Sequence, residues 1–208
     1  MDRRELLKQV AFVMGGAISA PAIFGVMSGC SPKHDAKSQL TWKPQFLNDA
    51  QAALVTAVAE IIIPKTDTPG ASEVGVPQFI DVMLKDVYPA EDQQRFLSGL
   101  QEIDDEASKV KGKSFVELVA KDQEELVRKH HDAAVKAEEE MRGTSRHDLK
   151  RPFVLMMKEL TMLGYFTSQP GATTVLQYAA VPGAFHGCIP IKEAGNGKTW
   201  ATDMSMEF

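Results

Sequence analysis

The side chains able to do chemistry are few, and their spacing keeps them apart. His130 and His131 are neighbours in a charged stretch that reads as helix. Adjacent positions on a helix point about 100° apart, so the pair cannot close on one metal ion. Both are expected on a solvated surface. His186 precedes Cys188 by two positions, but a catalytic dyad needs an orienting third group and a pocket, and a metal needs more ligands. Asp67 lies in the run Thr66-Asp67-Thr68-Pro69-Gly70. It has the acidity of a general base, yet side-chain oxygens in such a run bond nearby backbone, and Asp67 is expected to cap its own turn. Met156, Met157 and Met162 are expected to fill core. The chain has no glycine-rich dinucleotide loop after a strand, no phosphate loop, no Cys-x-x-Cys-His haem attachment and no serine elbow. These residues predict a chain with no catalytic, cofactor-binding or metal site of its own.

The elements that would position them are helices arranged around Ile61–Asp81. Asn48 is suited to cap a helix in which Leu54, Val58, Ile61 and Ile62 recur at helical spacing. Pro64 must stop that helix, since proline lacks an N–H and disfavours helical backbone before it. Thr66 to Gly70 then form a turn, and a second helix restarts at Val76–Pro77, with proline tolerated in the first turn. It ends before Pro89. Ala90–Lys111 follows, with Phe96, Leu97, Leu100 and Ile103 inward, an acidic outer face at Glu102, Asp104, Asp105 and Glu106, and Gly112 as its stop. Ser114 and Glu117 have the spacing of a capping box. Asp122–Met141 is helical and heavily charged. Asp148 is placed to cap the strongest apolar helix, running to about Ser168 through Phe153, Met156, Met157, Leu160, Leu163 and Gly164. A short helical piece is expected at Val175–Tyr178, followed by a Pro/Gly-rich, non-helical tail through Pro190. The fold class is therefore all-α: an irregular helical bundle with ordered Pro/Gly-rich loops and a non-helical C-terminal segment.

The chain has 208 residues and a net charge of −5, enough for one domain with a sizeable core and the wrong sign for a nucleic-acid partner. The first 30 residues read as an address. Arg3-Arg4, with Leu6, Leu7 and Lys8, precede a weakly apolar run rich in Gly and Ala, the mark of twin-arginine export of folded proteins. The run closes on Ser28-Gly29-Cys30, like a bacterial lipobox, with Cys30 as the acylated first mature residue. The alternative is that Cys30 stays an ordinary thiol. Residues 1–30 are thus expected to be a signal peptide, 31–43 a polar tether, and 44–208 a single helical domain. The location that follows is the periplasm, with a lipid anchor holding the chain to a membrane. If Cys30 is acylated, Cys188 is an odd thiol in an oxidising compartment. An interchain disulfide is favoured there over a buried thiol, and a Cys30–Cys188 bridge requires that Cys30 not be lipidated.

Two blocks of sequence resemble one family. Ile61-Ile62-Ile63-Pro64, Thr66-Asp67-Thr68-Pro69-Gly70-Ala71, Gly75-Val76 and Phe79-Ile80-Asp81 form the first. Glu159-Leu160-Thr161, Gly164-Tyr165-Phe166-Thr167-Ser168, Tyr178, Val181-Pro182-Gly183 and Gly187-Cys188 form the second. In this order they resemble the gluconate 2-dehydrogenase subunit 3 family, from about Phe46 to Cys188. The resemblance implies a non-catalytic small subunit of a periplasmic, membrane-associated sugar or sugar-acid dehydrogenase. Its partners would be a flavoprotein of the GMC type that carries FAD, a multihaem cytochrome c that carries haem c, and the twin-arginine translocon. The small subunit's signal would export the folded pair. Thr66, Asp67, Thr68, Pro69 and Gly70, with the tail around Cys188, would then be the partner-docking surface, and Cys188 the bridge. The alternative is a free-standing periplasmic lipoprotein that acts as a binding module.

Overall fold

The computed structural model describes residues 42–140, 151–179, 181, 183–184, 187–190, 192–193 and 197–201. The described residues form an all-α bundle with ordered connections and a non-helical C-terminal segment. The export-signal residues Arg3, Arg4, Leu6, Leu7 and Lys8, and Cys30, lie outside the described residues.

Helix α1 spans Asp49–Ile62. Asn48 accepts from the Gln51 N–H at 2.9 Å, and the Gln51 side chain accepts from the Asn48 N–H at 2.9 Å. This reciprocal cap satisfies two donors that the first turn would otherwise leave bare. Helix α2, Val76–Asp86, starts after Gly75, whose φ of 83° favours a residue without a Cβ. Helix α3, Ala90–Lys111, has Glu91 and Asp92 in its first turn and Lys109 and Lys111 in its last, which suits the helix dipole at both ends. Gly112 closes it at φ 70°.

The Ser114–Glu117 capping box forms, but it caps a single 3₁₀ turn, Phe115–Glu117, rather than a helix. Phe115 is the reason: its ring is fully buried and its N–H donates to Asp104 at 2.7 Å, so the chain dips into the core and leaves again. Asp104 of the expected outer face is thus half-buried and engaged. Helix α4 then runs Ala120–Glu140 and buries only Val127 and Ala134.

Helix α5, Phe153–Thr167, is the centre of the bundle, with nine buried residues and contacts to each of the other four α-helices of the described residues. It begins later than the sequence reading placed it. Pro152 is its N-cap, with extended backbone at ψ 145°, and a residue before proline resists helical geometry; Asp148 lies outside the described residues. Phe153 meets Phe96 of α3 edge-on, ring centres 4.9 Å apart. Helix α3 comes this close because Gly99 has no side chain: a Cβ there would lie 2.1 Å from Phe153 Cβ. Full burial of a side chain such as Phe96 stabilises by roughly 1.5–3 kcal/mol.

After α5 a single π-type turn, Gly171–Val175, replaces the helical piece expected at Val175–Tyr178. Pro170 already has helical φ, and Ser168 Oγ accepts the Gly171 N–H at 3.1 Å, so the turn starts early. Leu176 is extended. Gln177 then pairs with the tail, donating to Thr199 at 3.0 Å and accepting from Ala201 at 2.8 Å, an isolated parallel bridge.

Candidate functional site

The connection from α1 to α2 is fastened from behind and open in front. Its base closes where the Ala71 N–H donates to the Ile63 carbonyl at 3.0 Å and the Val76 N–H to Ala71 at 3.1 Å. Glu60 reaches in from the last turn of α1. One carboxylate oxygen accepts the Lys65 N–H at 3.1 Å, and the other accepts the Ser72 N–H at 3.1 Å and its hydroxyl at 2.6 Å. Gly70 leaves room for this carboxylate: a Cβ there would stand 2.2 Å from Glu60 Oε1 and displace it. Glu73 adds a second tie, accepting from the Lys65 ammonium and, at 3.3 Å, from the Gly70 N–H. The Lys65 hydrogen bond is the main reason that the Glu73 carboxyl is held below its ordinary 4.5, and that bond raises Lys65 in turn. From the core, the Tyr165 hydroxyl donates to the Pro69 carbonyl at 2.7 Å across 96 positions of sequence, and Tyr165 is only 2% exposed.

The tip is Pro64–Asp67, all exposed. The Thr66 N–H donates to the Thr68 carbonyl at 3.0 Å, and the Thr66 hydroxyl accepts the Thr68 N–H at 3.3 Å. Asp67 does not cap this turn as the sequence suggested. It makes no hydrogen bond or ion pair among the described residues, because the two threonines already close the backbone. Thr66, Asp67, Thr68, Pro69 and Gly70 are thus brought together in a fixed loop, with Gly70 buried and the threonine–aspartate tip outward.

A third carboxylate fixes the flank of the loop. Asp81 of α2 is 1% exposed and accepts the backbone N–H groups of Gln45, Phe46 and Leu47 at 2.7, 3.1 and 2.8 Å. It ties the segment entering α1 to the helix leaving the loop. Glu60, Glu73, Asp81 and Tyr165 escaped the sequence reading as loop-holding residues, and two of them left signals. An acid in the last turn of a helix is disfavoured by the dipole, so Glu60 asks for donors nearby. A tyrosine on the most apolar helix brings a hydroxyl that needs a partner.

The histidines diverge, as neighbours on a helix must, but they are half-buried and bonded rather than simply solvated. His130 Nε2 lies 2.7 Å from Glu106 of α3, and His131 Nε2 lies 3.4 Å from Lys158 of α5. Hydrogen bonds from Lys129 and then His130 hold the Glu106 carboxyl below its ordinary 4.5. Ser98 lines the same cleft as His130, yet its hydroxyl bonds Gln94 at 3.4 Å and not the imidazole. Cys188 is exposed and unpaired; His186 lies outside the described residues. Among the described residues no group of three or more His, Cys, Asp or Glu could hold a metal, and no helix is long and apolar enough to cross a membrane.

The described residues are thus a helical unit in which the half-buried Glu60, the exposed Glu73, the buried Asp81 and the core Tyr165 hold one loop and its flank. The chain belongs to the gluconate 2-dehydrogenase subunit 3 family: the family model of that description matches residues 49–183. The matched span contains the five α-helices of the described residues and the whole α1–α2 loop. No curated protein and no solved structure matches the chain. The family is a subunit of a dehydrogenase complex with other subunits, and such complexes carry FAD in another subunit.

Proposed function

We propose that the chain is the non-catalytic small subunit of a membrane-associated, FAD-dependent sugar or sugar-acid dehydrogenase. It escorts the FAD-bearing GMC-type large subunit through the twin-arginine route and stabilises it afterwards, and a multihaem cytochrome c takes the electrons. The observation that carries the reading is the α1–α2 loop: fastened at Glu60, Glu73 and Tyr165, bare at Pro64–Asp67, and inside the matched family span. Recognition concentrates on ordered loops held by a rigid scaffold. Arg3 and Arg4 support the export route, which suits a partner that folds around its flavin before crossing the membrane. The Ser28-Gly29-Cys30 ending supports periplasmic anchoring by lipid, and an exposed Cys188 supports a disulfide to the partner.

The test is a gentle pull-down of the tagged full-length protein from membranes, with a flavin absorbance scan and gels run with and without reductant. A yellow partner of flavoprotein size is the expected result. Release of that partner only by reductant supports the bridge, and loss of the bridge in Cys188→Ser assigns it. A colourless, solitary protein overturns the accessory role.

A further inference from the structure

Beside the last turn of α1, a groove of about 240 Å³ runs between α1, α4 and α5. Ile61, Ile62 and Val154 are among its apolar lining residues, and Arg128, His131 and Lys158 line it together with one carboxylate, Glu124. The chain as a whole carries −5, whereas two cations and one carboxylate line this apolar groove, a local excess of positive charge. Neither cation is committed. Lys158 has no carboxylate partner among the described residues, only the His131 ring nitrogen at 3.4 Å. Arg128 pairs with Glu124 one helical turn away, both side chains being more than half exposed at 70% and 58%, and such pairs exchange readily for another carboxylate. Ile61 and Ile62 are only half-buried and lead straight into Ile63 and Pro64 of the loop. The volume lies below the roughly 300–1,000 Å³ of small-molecule pockets and suits one or two large side chains.

We propose that this groove receives an acidic amphipathic segment of a partner polypeptide, with an aliphatic or aromatic side chain on the Ile61–Ile62 floor and carboxylates on Arg128 and Lys158. The assignment rests on the reading of the chain as a docking subunit, and it extends the docking face from the loop onto the helices. A bilayer is the poorer occupant: Glu124 lines the groove beside Arg128, and Asp132 lies against His131, so these acids would repel a continuous anionic surface, whereas a narrow segment can meet Lys158 and displace Glu124 from Arg128.

The probe is a fluorescein-labelled amphipathic peptide of about 14 residues, four helical turns, with leucines on one face and glutamates on the other. A counterpart carries lysine for every glutamate. Fluorescence anisotropy against the full chain is expected to show tighter binding of the glutamate peptide. The charge reversal R128E/K158E should cost that peptide about tenfold or more and improve the lysine peptide by a similar factor. Both substituted side chains are exposed, so an unchanged melting temperature verifies the fold. Equal affinity of the two peptides, indifference to the reversal, or failure of the glutamate peptide to bind overturns the proposal. So does binding to phosphatidylglycerol vesicles, in place of peptide, with the same dependence on Arg128 and Lys158. The flavoprotein pull-down separates the two readings. If wild type and R128E/K158E recover equal flavin, the groove fails and the accessory role stands. If wild type recovers none, the accessory role fails and the peptide data alone decide the groove.

Discussion

Replacing Tyr165 with phenylalanine isolates the tie between core and loop. The ring stays, with its edge-on contact to Phe166 at 5.3 Å between centres, and only the hydroxyl bonded to Pro69 at 2.7 Å is lost. A neutral hydrogen bond contributes about 0.5–1.5 kcal/mol net, and stranding its acceptor adds to that. Pro69 is half-buried, so water can reach its carbonyl in part, and the expected loss is about 1–2 kcal/mol. For a domain of this size that is roughly 2–8 °C in melting temperature. The location of the loss is the sharper readout. Hydrogen exchange should accelerate by about fivefold to thirtyfold at the Thr66, Ala71 and Val76 amides, which close the loop. The Gly112 amide, which closes α3 on Ser108, should be unaffected by local opening. Loop amides that exchange at the wild-type rate, or a loss spread evenly over all helices, would refute the view that Tyr165 holds the loop.

Other perturbations test the remaining supports. Asp81→Ala leaves the buried Leu47 N–H and two partly buried neighbours without their carboxylate, and urea denaturation should show a loss of roughly 3–5 kcal/mol; a loss under about 1 kcal/mol would count against the tie. Gly164→Ala places a Cβ 2.6 Å from the Phe79 ring, so α2 must shift against α5 at a cost of about 1–3 kcal/mol, read from the same curves. The Lys65–Glu73 pair should make the loop sensitive to pH. Because Glu73 is depressed below 4.5 when folded, its contribution is present above that value and lost as pH falls through the folded one. Because Lys65 is raised above its ordinary 10.5, its share is complete below that value and lost as pH rises through the folded one. Loop exchange, corrected for the intrinsic rate, should therefore quicken at both extremes, and Glu73→Gln should flatten the response.

Much of the scaffold was legible because local rules and tertiary packing agree. Asn48, Pro64, Pro77 and Gly112 punctuate the helices where their backbone chemistry demands, and Leu54, Val58, Phe96 and Ile103 keep helical spacing on buried faces. The failures mark places where a distant partner decides. Ser114–Glu117 has the cap of a helix, but burial of Phe115 ends it after one turn. Asp67 has the residue type for a turn cap, but the Thr66 hydroxyl takes the Thr68 N–H and the Thr68 carbonyl takes the Thr66 N–H, which closes the turn without it. Asp81 looks like an ordinary helix-surface acid, because its donors at Gln45, Phe46 and Leu47 lie in a segment whose approach no local pattern announces. The loop itself was visible as punctuation, while the reason for its rigidity lies in contacts of 12, 36 and 96 positions' separation.

That rigidity sets how docking should respond to damage. Ordering a residue costs about 1–2 kcal/mol of backbone entropy, so a loop ordered only on contact would surrender much of its binding energy. A loop already closed by Glu60, Glu73 and Tyr165 avoids this cost, and apparent affinity then depends only on the fraction of molecules in which it is closed. While closure is favourable by two kcal/mol or more, a loss of about 1 kcal/mol leaves that fraction near unity. Tyr165→Phe alone should therefore leave affinity for the large subunit within about twofold. Glu60→Gln alone, which weakens the bonds to Lys65 and Ser72, should do the same. The double variant should pass the midpoint of closure and weaken the complex steeply, by about tenfold or more, well beyond the product of the two single effects. Titration of the four proteins against the purified flavoprotein measures this directly. A full tenfold loss from Tyr165→Phe alone would mean that the hydroxyl acts at the interface and not behind it, which its 2% exposure contradicts.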